Sequence, residues 1–167
     1  MTSSILSIPD KACNSEQLIT LDLSAFKLLQ SITIGNENMY SVNSLVIDYM
    51  LQLKSFRIGG NSFTKHKNKY GKDNNRSFQI SDCNKLELIE IGQYSFSDYS
   101  GKFELRNNPS LKSIKIGIIS KESANFYYGS FVIRGIYIMK NKYLQIRFTK
   151  FGSNRARKGC VCYLINN

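Results

Sequence analysis

The sequence of 167 residues predicts a β-rich solenoid of about four coils, with short parallel strands on both faces and little helix. Three observations point there. A stretch that alternates apolar and polar residues and then turns at glycine is written four times: "LQSITIGNENM" (29–39), "LKSFRIGGNSF" (53–63), "LELIEIGQYSF" (86–96) and "LKSIKIG" (111–117). A second short element precedes each copy by a constant step: Leu21 to Leu29, Leu45 to Leu53, Phe78 to Leu86 and Phe103 to Leu111 are each eight residues. The connection from the glycine to the next second element instead varies, through 10, 19, 11 and 14 residues, so length changes collect on one edge of the coil.

Taken in order, "LDLS" (from 21), "LVID" (45), "FQIS" (78), "FELR" (103) and "FVIR" (131) alternate with period two, which is the signature of a strand with one buried face. The copied elements have the same period. Their closing glycines, Gly35, Gly59, Gly92 and Gly117, are 24, 33 and 25 residues apart, a period near 24 with one insertion at 64–76. One such coil cannot bury its own apolar face, so coils stack and share a continuous interior of Leu, Ile and Phe. Ile34, Ile58, Ile91 and Ile116 are therefore expected side by side in one column.

Against the pattern L-x-x-L-x-L-x-x-N-x-L, Leu53, Phe56, Ile58, Asn61 and Phe63 fill all five slots. Leu86, Ile89, Ile91 and Phe96 fill four, with Tyr94 in the asparagine slot; Leu29, Ile32, Ile34 and Met39 fill four, with Glu37 there; the last copy keeps Leu111, Ile114 and Ile116. On these residues the chain resembles the leucine-rich repeat family over about residues 21–134, nearest the irregular BspA-like type, as "SDCNKLELIEIGQYSF" displays most clearly. The resemblance implies a leucine-rich-repeat solenoid used for recognition. With the asparagine slot filled once in four, a buried asparagine ladder is not expected to run the length of the coil.

The net charge of +11 sits in two places. The insertion holds Lys65, Lys67, Lys69, Lys72 and Arg76 against Asp73, net +4, and residues 140–158 hold seven basic residues and no acid. The repeats proper carry eleven of each sign. Along the copied strand the outward positions align into two rows, Gln30, Lys54, Glu87, Lys112 and Thr33, Arg57, Glu90, Lys115, in which signs alternate. Opposite neighbours support one another, whereas a phosphate-binding face wants one sign throughout. These rows are read two ways: a solvated ladder that fixes register, or a partner-binding surface on a rigid frame. The basic insertion with His66 and Tyr70 has the composition of a surface loop, and also the lysine-and-aromatic mixture that single-stranded nucleic acid uses.

Catalysis is not expected. His66 is the single histidine and has no carboxylate or nucleophile at motif spacing; no phosphate-cradling glycine loop ends in Lys-Ser or Lys-Thr. Cys13, Cys83, Cys160 and Cys162 are too scattered for a disulfide framework, and the single residue between the last two does not match zinc-ligand spacing, so no metal and no cofactor is predicted. No basic region precedes an apolar stretch at the start, and no window reaches the ~20 apolar residues of a membrane helix, which predicts a cytoplasmic protein with no membrane span and a silent sequon at Asn75.

The chain accordingly divides into an N-terminal cap or leader (1–20), the solenoid with its insertion (21–135) and a basic C-terminal tail or cap (136–167). In the tail the eight-residue step fails, because it would place Lys142 in an apolar slot; "YLQIRF" and "CVCYLI" fit either a terminal hairpin over the open coil or a loose tail on a truncated array. The function expected is a non-catalytic protein–protein interaction or scaffold module. The alternative is nucleic-acid or anionic-surface binding through the insertion and tail.

Overall fold

The computed structural model describes residues 4–118, 123–135, 145–148 and 161–165. The chain winds as a β-solenoid of about five turns, one more than the four copies suggest, and no helix occurs among the described residues. Strands alternate between two parallel six-stranded sheets. One holds the odd strands β1 (Ile5–Ile8), β3 (Ser31–Ile34), β5 (Ser55–Ile58), β7 (Leu88–Ile91), β9 (Ser113–Ile116) and β11 (Gln145–Phe148). The other holds the even strands β2 (Thr20–Asp22), β4 (Ser44–Asp48), β6 (Ser77–Ser81), β8 (Lys102–Arg106), β10 (Ser130–Arg134) and β12 (Val161–Ile165). The copied stretches supply β3, β5, β7 and β9.

The extra strands lie where the repeat was too degenerate to count. β1 pairs in parallel with β3, so "ILSI" inside the predicted cap opens the odd sheet. β11 and β12 do not form a hairpin with one another: each pairs in parallel with the previous strand of its own sheet, β9 and β10. Of the predicted basic tail, Lys140, Lys142, Lys150, Arg155, Arg157 and Lys158 lie outside the described residues, as does Cys160.

Period-two alternation sends every second side chain into the space between the sheets. Ile8, Ile34, Ile58, Ile91 and Ile116 pair in one column, and Leu6, Ile32, Phe56, Ile89 and Ile114 in the next. The even sheet answers with Leu45, Phe78, Phe103 and Phe131 and with Ile47, Ile80, Leu105 and Ile133. Leu29, Leu53, Leu86 and Leu111 close the constant edge, all buried. Aromatic rings thicken the interior on the variable edge, where Phe63, Phe96 and Phe126 stack with centroids 4.8 and 5.0 Å apart.

The corner after each odd strand explains two features of the copy. Its glycines are demanded by close approach: a Cβ on Gly59 would lie 2.6 Å from the backbone of Gly35, and one on Gly92 would lie 2.4 Å from that of Gly59. Two residues further on, the slot expected for asparagine is a left-handed position, occupied by Glu37 (φ 56°), Asn61 (56°) and Tyr94 (60°), and the apolar slot two beyond is left-handed as well, at Met39, Phe63 and Phe96. Neighbouring coils hold these strained residues by backbone bonds such as Asn61 N–H to Gln93 O at 2.8 Å and Phe63 N–H to Asn38 O at 2.8 Å.

A polar ladder does run along this corner, one residue past the predicted slot. Asn38, Ser62, Ser95 and Asn125 are buried between the left-handed pairs. Each carries a hydrogen bond to the previous coil's corner: Asn38 Nδ2 to Pro9 O (2.9 Å), Ser62 Oγ to Gly35 O (2.8 Å), Ser95 Oγ to Gly59 O (2.6 Å) and Asn125 Nδ2 to Gly92 O (2.7 Å). The left-handed backbone accounts for Asn61 in the slot itself, since asparagine tolerates that region better than most residues. Satisfaction of the buried carbonyls falls to its neighbour.

Phe78 contacts the rings of Phe56, Phe96, Phe103 and Phe126 and is 1% exposed. Phe78→Ala is expected to lower the unfolding free energy by about 3–5 kcal/mol, measured by urea denaturation. A loss under about 1 kcal/mol would be incompatible with a shared interior at this column.

Candidate functional site

The two predicted rows on the odd sheet are aligned. Thr33, Arg57, Glu90 and Lys115 are register partners. Gln30, Lys54, Glu87 and Lys112 follow one another through backbone bonds of 2.7, 2.9 and 2.9 Å at the strand starts. The charges of these rows bind each other. Glu90 bridges three coils, accepting Arg57 Nε at 2.8 Å and Lys115 Nζ at 2.7 Å, and Lys112 Nζ meets Glu87 at 2.8 Å. Lys115 foremost, then Arg57, hold the Glu90 carboxyl below the ordinary glutamate range, against a partial burial that pushes it up. Both carboxylates of this outer face are thus engaged by cations of the neighbouring coils.

The insertion is the surface loop its composition suggests, exposed over most of its length, but it is anchored to the solenoid. It starts at Thr64, after the corner that follows β5, and returns to β6 at Ser77, and it lies as a strap along the variable edge. Thr64 is buried and its hydroxyl meets Ser97 Oγ at 2.7 Å, while the Lys65 N–H donates to Asp98 Oδ2 at 3.0 Å. Asn61 and Asn68 close the strap's first half with a pair of bonds, 2.9 and 2.7 Å. Backbone bonds from Gly71 N–H to Ser97 O and from Asp73 N–H to Asp98 O seat the second half on the next coil. At the far end the Tyr70 ring stacks on Tyr127 at 3.9 Å, with the Tyr128 ring edge-on at 6.0 Å. Backward, Lys67 Nζ reaches Glu37 at 2.6 Å. The strap therefore touches the coils of β3, β7 and β9 as well as its own, a reach of roughly 14 Å at ~4.8 Å per step.

Arg76 corrects the sequence reading most sharply. Counted there among the exposed basic residues, it is fully buried, as the pin that fixes the strap's C-terminal end. Its Nη1 meets Asp98 Oδ1 at 2.9 Å and Phe63 O at 3.4 Å, its Nε meets Asn43 Oδ1 at 3.1 Å, its Nη2 donates to Tyr40 O, and the guanidinium lies 5.2 Å from the Tyr99 ring centroid. Tyr99 is buried too, and its hydroxyl donates to Val42 O. Guanidinium donors consumed in this way are not presented to a ligand. The partners Asp98 and Tyr99 escaped the sequence reading because they lie outside the repeat pattern; the polar run "SDYS" following the third copy was the available signal.

What remains on the strap is four exposed lysines, Lys65, Lys67, Lys69 and Lys72, on a base tied down at both ends. Two open clefts flank the Asn61–Asn68 pair. One, of about 410 Å³, is lined by Asn14, Glu37, Tyr40, Thr64, Lys65 and Lys67 among others; the second, of about 310 Å³, by Asn68, Lys69, Tyr70 and Tyr94. His66 is exposed on the same strap, its backbone N–H bonded to Thr64 Oγ1. Away from this edge, Cys83 is a free buried thiol, pushed up to about 11 by burial, which makes it a poor nucleophile at neutral pH.

Two outcomes test this arrangement. Arg76→Ala strands Asp98 in the interior and is expected to cost about 3–5 kcal/mol. It should also speed tryptic cleavage at Lys65 to Lys72, with Asp98→Ala showing less than additive loss in the double variant. The second concerns acid. A carboxyl held low in the folded state adds stability above its unfolded pKa and loses it as pH falls through the folded value. Urea midpoints should therefore drop on acidification below about pH 4.5, and Glu90→Gln should remove a part of that drop worth about 0.2–1 kcal/mol.

No family model, no curated protein and no solved structure matches this chain, so the surfaces described above are assigned from geometry and chemistry alone.

Proposed function

We propose that the protein is a non-catalytic recognition module that binds a protein partner, and that the strap edge is the surface it presents. The observation that carries this reading is the contrast between two charged surfaces. On the odd sheet Arg57, Glu90, Lys115, Glu87 and Lys112 are engaged with one another, the condition of a register ladder. On the strap four lysines stand exposed, Lys67 bridged to Glu37, on backbone pinned by Thr64 and Arg76. A surface ordered before binding loses less conformational freedom when a partner arrives. The resemblance to leucine-rich repeats, with the buried column Leu29, Leu53, Leu86 and Leu111, supports the same class of use.

Nucleic-acid binding through the insertion and tail is the second reading, and the strap's lysines are what favour it. Burial of Arg76 weakens it, because the strap then offers point charges without the planar fork that grips phosphate in two places.

The test is photo-crosslinking. A benzophenone side chain at position 69 or 72 should give a discrete protein adduct in source extract. Unlabelled wild-type chain should compete the adduct away, and a chain with Lys65, Lys67, Lys69 and Lys72 changed to Glu should not. Competed adducts arising from positions 54 and 112 alone would move the site to the odd sheet, and nucleic-acid adducts at 69 and 72 would favour the second reading.

A further inference from the structure

We infer that the strap edge takes an acidic peptide segment, whose carboxylates seat on Lys65, Lys67 and Lys69 while its apolar groups lie against Tyr70 and Tyr94; this rests on the reading of the strap as the recognition surface. Three observations select that chemistry. The first is the anion already present. Glu37, from the neighbouring coil, places its carboxylate 2.6 Å from Lys67 Nζ at the lip of the larger cleft. Lys67 in turn holds the Glu37 carboxyl below the ordinary range. The cleft thus binds a carboxylate of its own chain, in the place where a partner's would sit.

The second observation is the kind of cation. Every exposed strap cation is a lysine, a flexible point charge suited to single carboxylates, and the one arginine is inside. The third is the state of the aromatic rings. One face of Tyr70 lies on Tyr127 at 3.9 Å and Tyr128 meets it edge-on, so these half-exposed rings form a joined apolar wall, where single-stranded bases would want separate platforms. With Lys65, Lys67 and Lys69 at alternate positions and clefts of about 410 and 310 Å³ on either side of the Asn61–Asn68 pair, the edge offers charge and side-chain-sized recesses together.

Glu37 then acts as an internal competitor. A partner carboxylate must displace it from Lys67, so removing it raises affinity.

The experiment uses the full chain and two fluorescein-labelled probes, a twelve-residue Glu/Leu/Tyr peptide and a twelve-nucleotide single-stranded oligothymidylate, followed by anisotropy at low and moderate salt. The peptide is expected to bind more tightly than the oligonucleotide and to weaken with salt. Reversal of Lys65, Lys67, Lys69 and Lys72 to Glu should weaken it at least about tenfold, and reversal of Lys54 and Lys112 should leave it unchanged. Glu37→Gln should tighten it by about two- to fivefold, the scale of an exposed ion pair released. Circular dichroism and the urea midpoint establish that each variant is folded. Tighter binding of the oligonucleotide, lost in the same strap variant, overturns the acidic-peptide assignment and leaves the strap as the site. Peptide binding that survives strap reversal, or no binding of either probe, overturns both this inference and the reading beneath it. Unchanged or weaker peptide binding by Glu37→Gln overturns the competitor role.

Discussion

A single turn of this chain has no interior. Its strands are three to five residues long, and most offer two inward side chains, far too little apolar surface to offset the conformational entropy lost on ordering the turn. The interior exists only because the next turn lays Ile on Ile and Phe on Phe in register. Everything else in the fold is a device for keeping that register. The corner glycines let backbones approach, the left-handed residues bend the chain where the sheets change, and Asn38, Ser62, Ser95 and Asn125 answer carbonyls that the bend would leave without partners.

The same requirement sorts the charges. On the odd sheet, residues one register step apart are a strand spacing apart, so like charges there would push the coils away from one another. Alternation of Arg57, Glu90 and Lys115 turns that hazard into modest support. The strap is exempt from the constraint. It lies across the coils instead of within the ladder, and it can gather lysines of one sign because its anchorage comes from Arg76, Asp98 and Thr64 below it.

How far the sequence disclosed this follows from what periodicity can carry. The interior columns, the parallel pairing and the two outward rows all repeat, and each was legible from the spacing of Leu29, Leu53, Leu86 and Leu111 and the eight-residue step. The asparagine slot is legible only as a place for a buried ladder, whereas in the structure Asn61 serves a left-handed backbone and the buried polar function belongs to Ser62 beside it. The small polar residues following that slot in three copies were there to be read. β1 escaped because the leucine and glycine that mark the copies do not flank it; "YLQIRF" and "CVCYLI" were legible as strands β11 and β12, but the broken eight-residue step hid their parallel places in the two sheets. Arg76 escaped for a different reason. Its partner Asp98 lies 22 residues away, outside any repeat relation, and a pairing that happens once leaves no period.

The strap also alters how the array comes apart. In a stack where each rung touches only its neighbours, fraying begins at an end and travels inward one rung at a time, with partly open species along the way. A segment that joins the rung of Glu37 to that of Tyr127 does not permit the intervening rungs to loosen separately. The middle of the protein becomes a single cooperative block, and partial opening is confined to the two terminal regions.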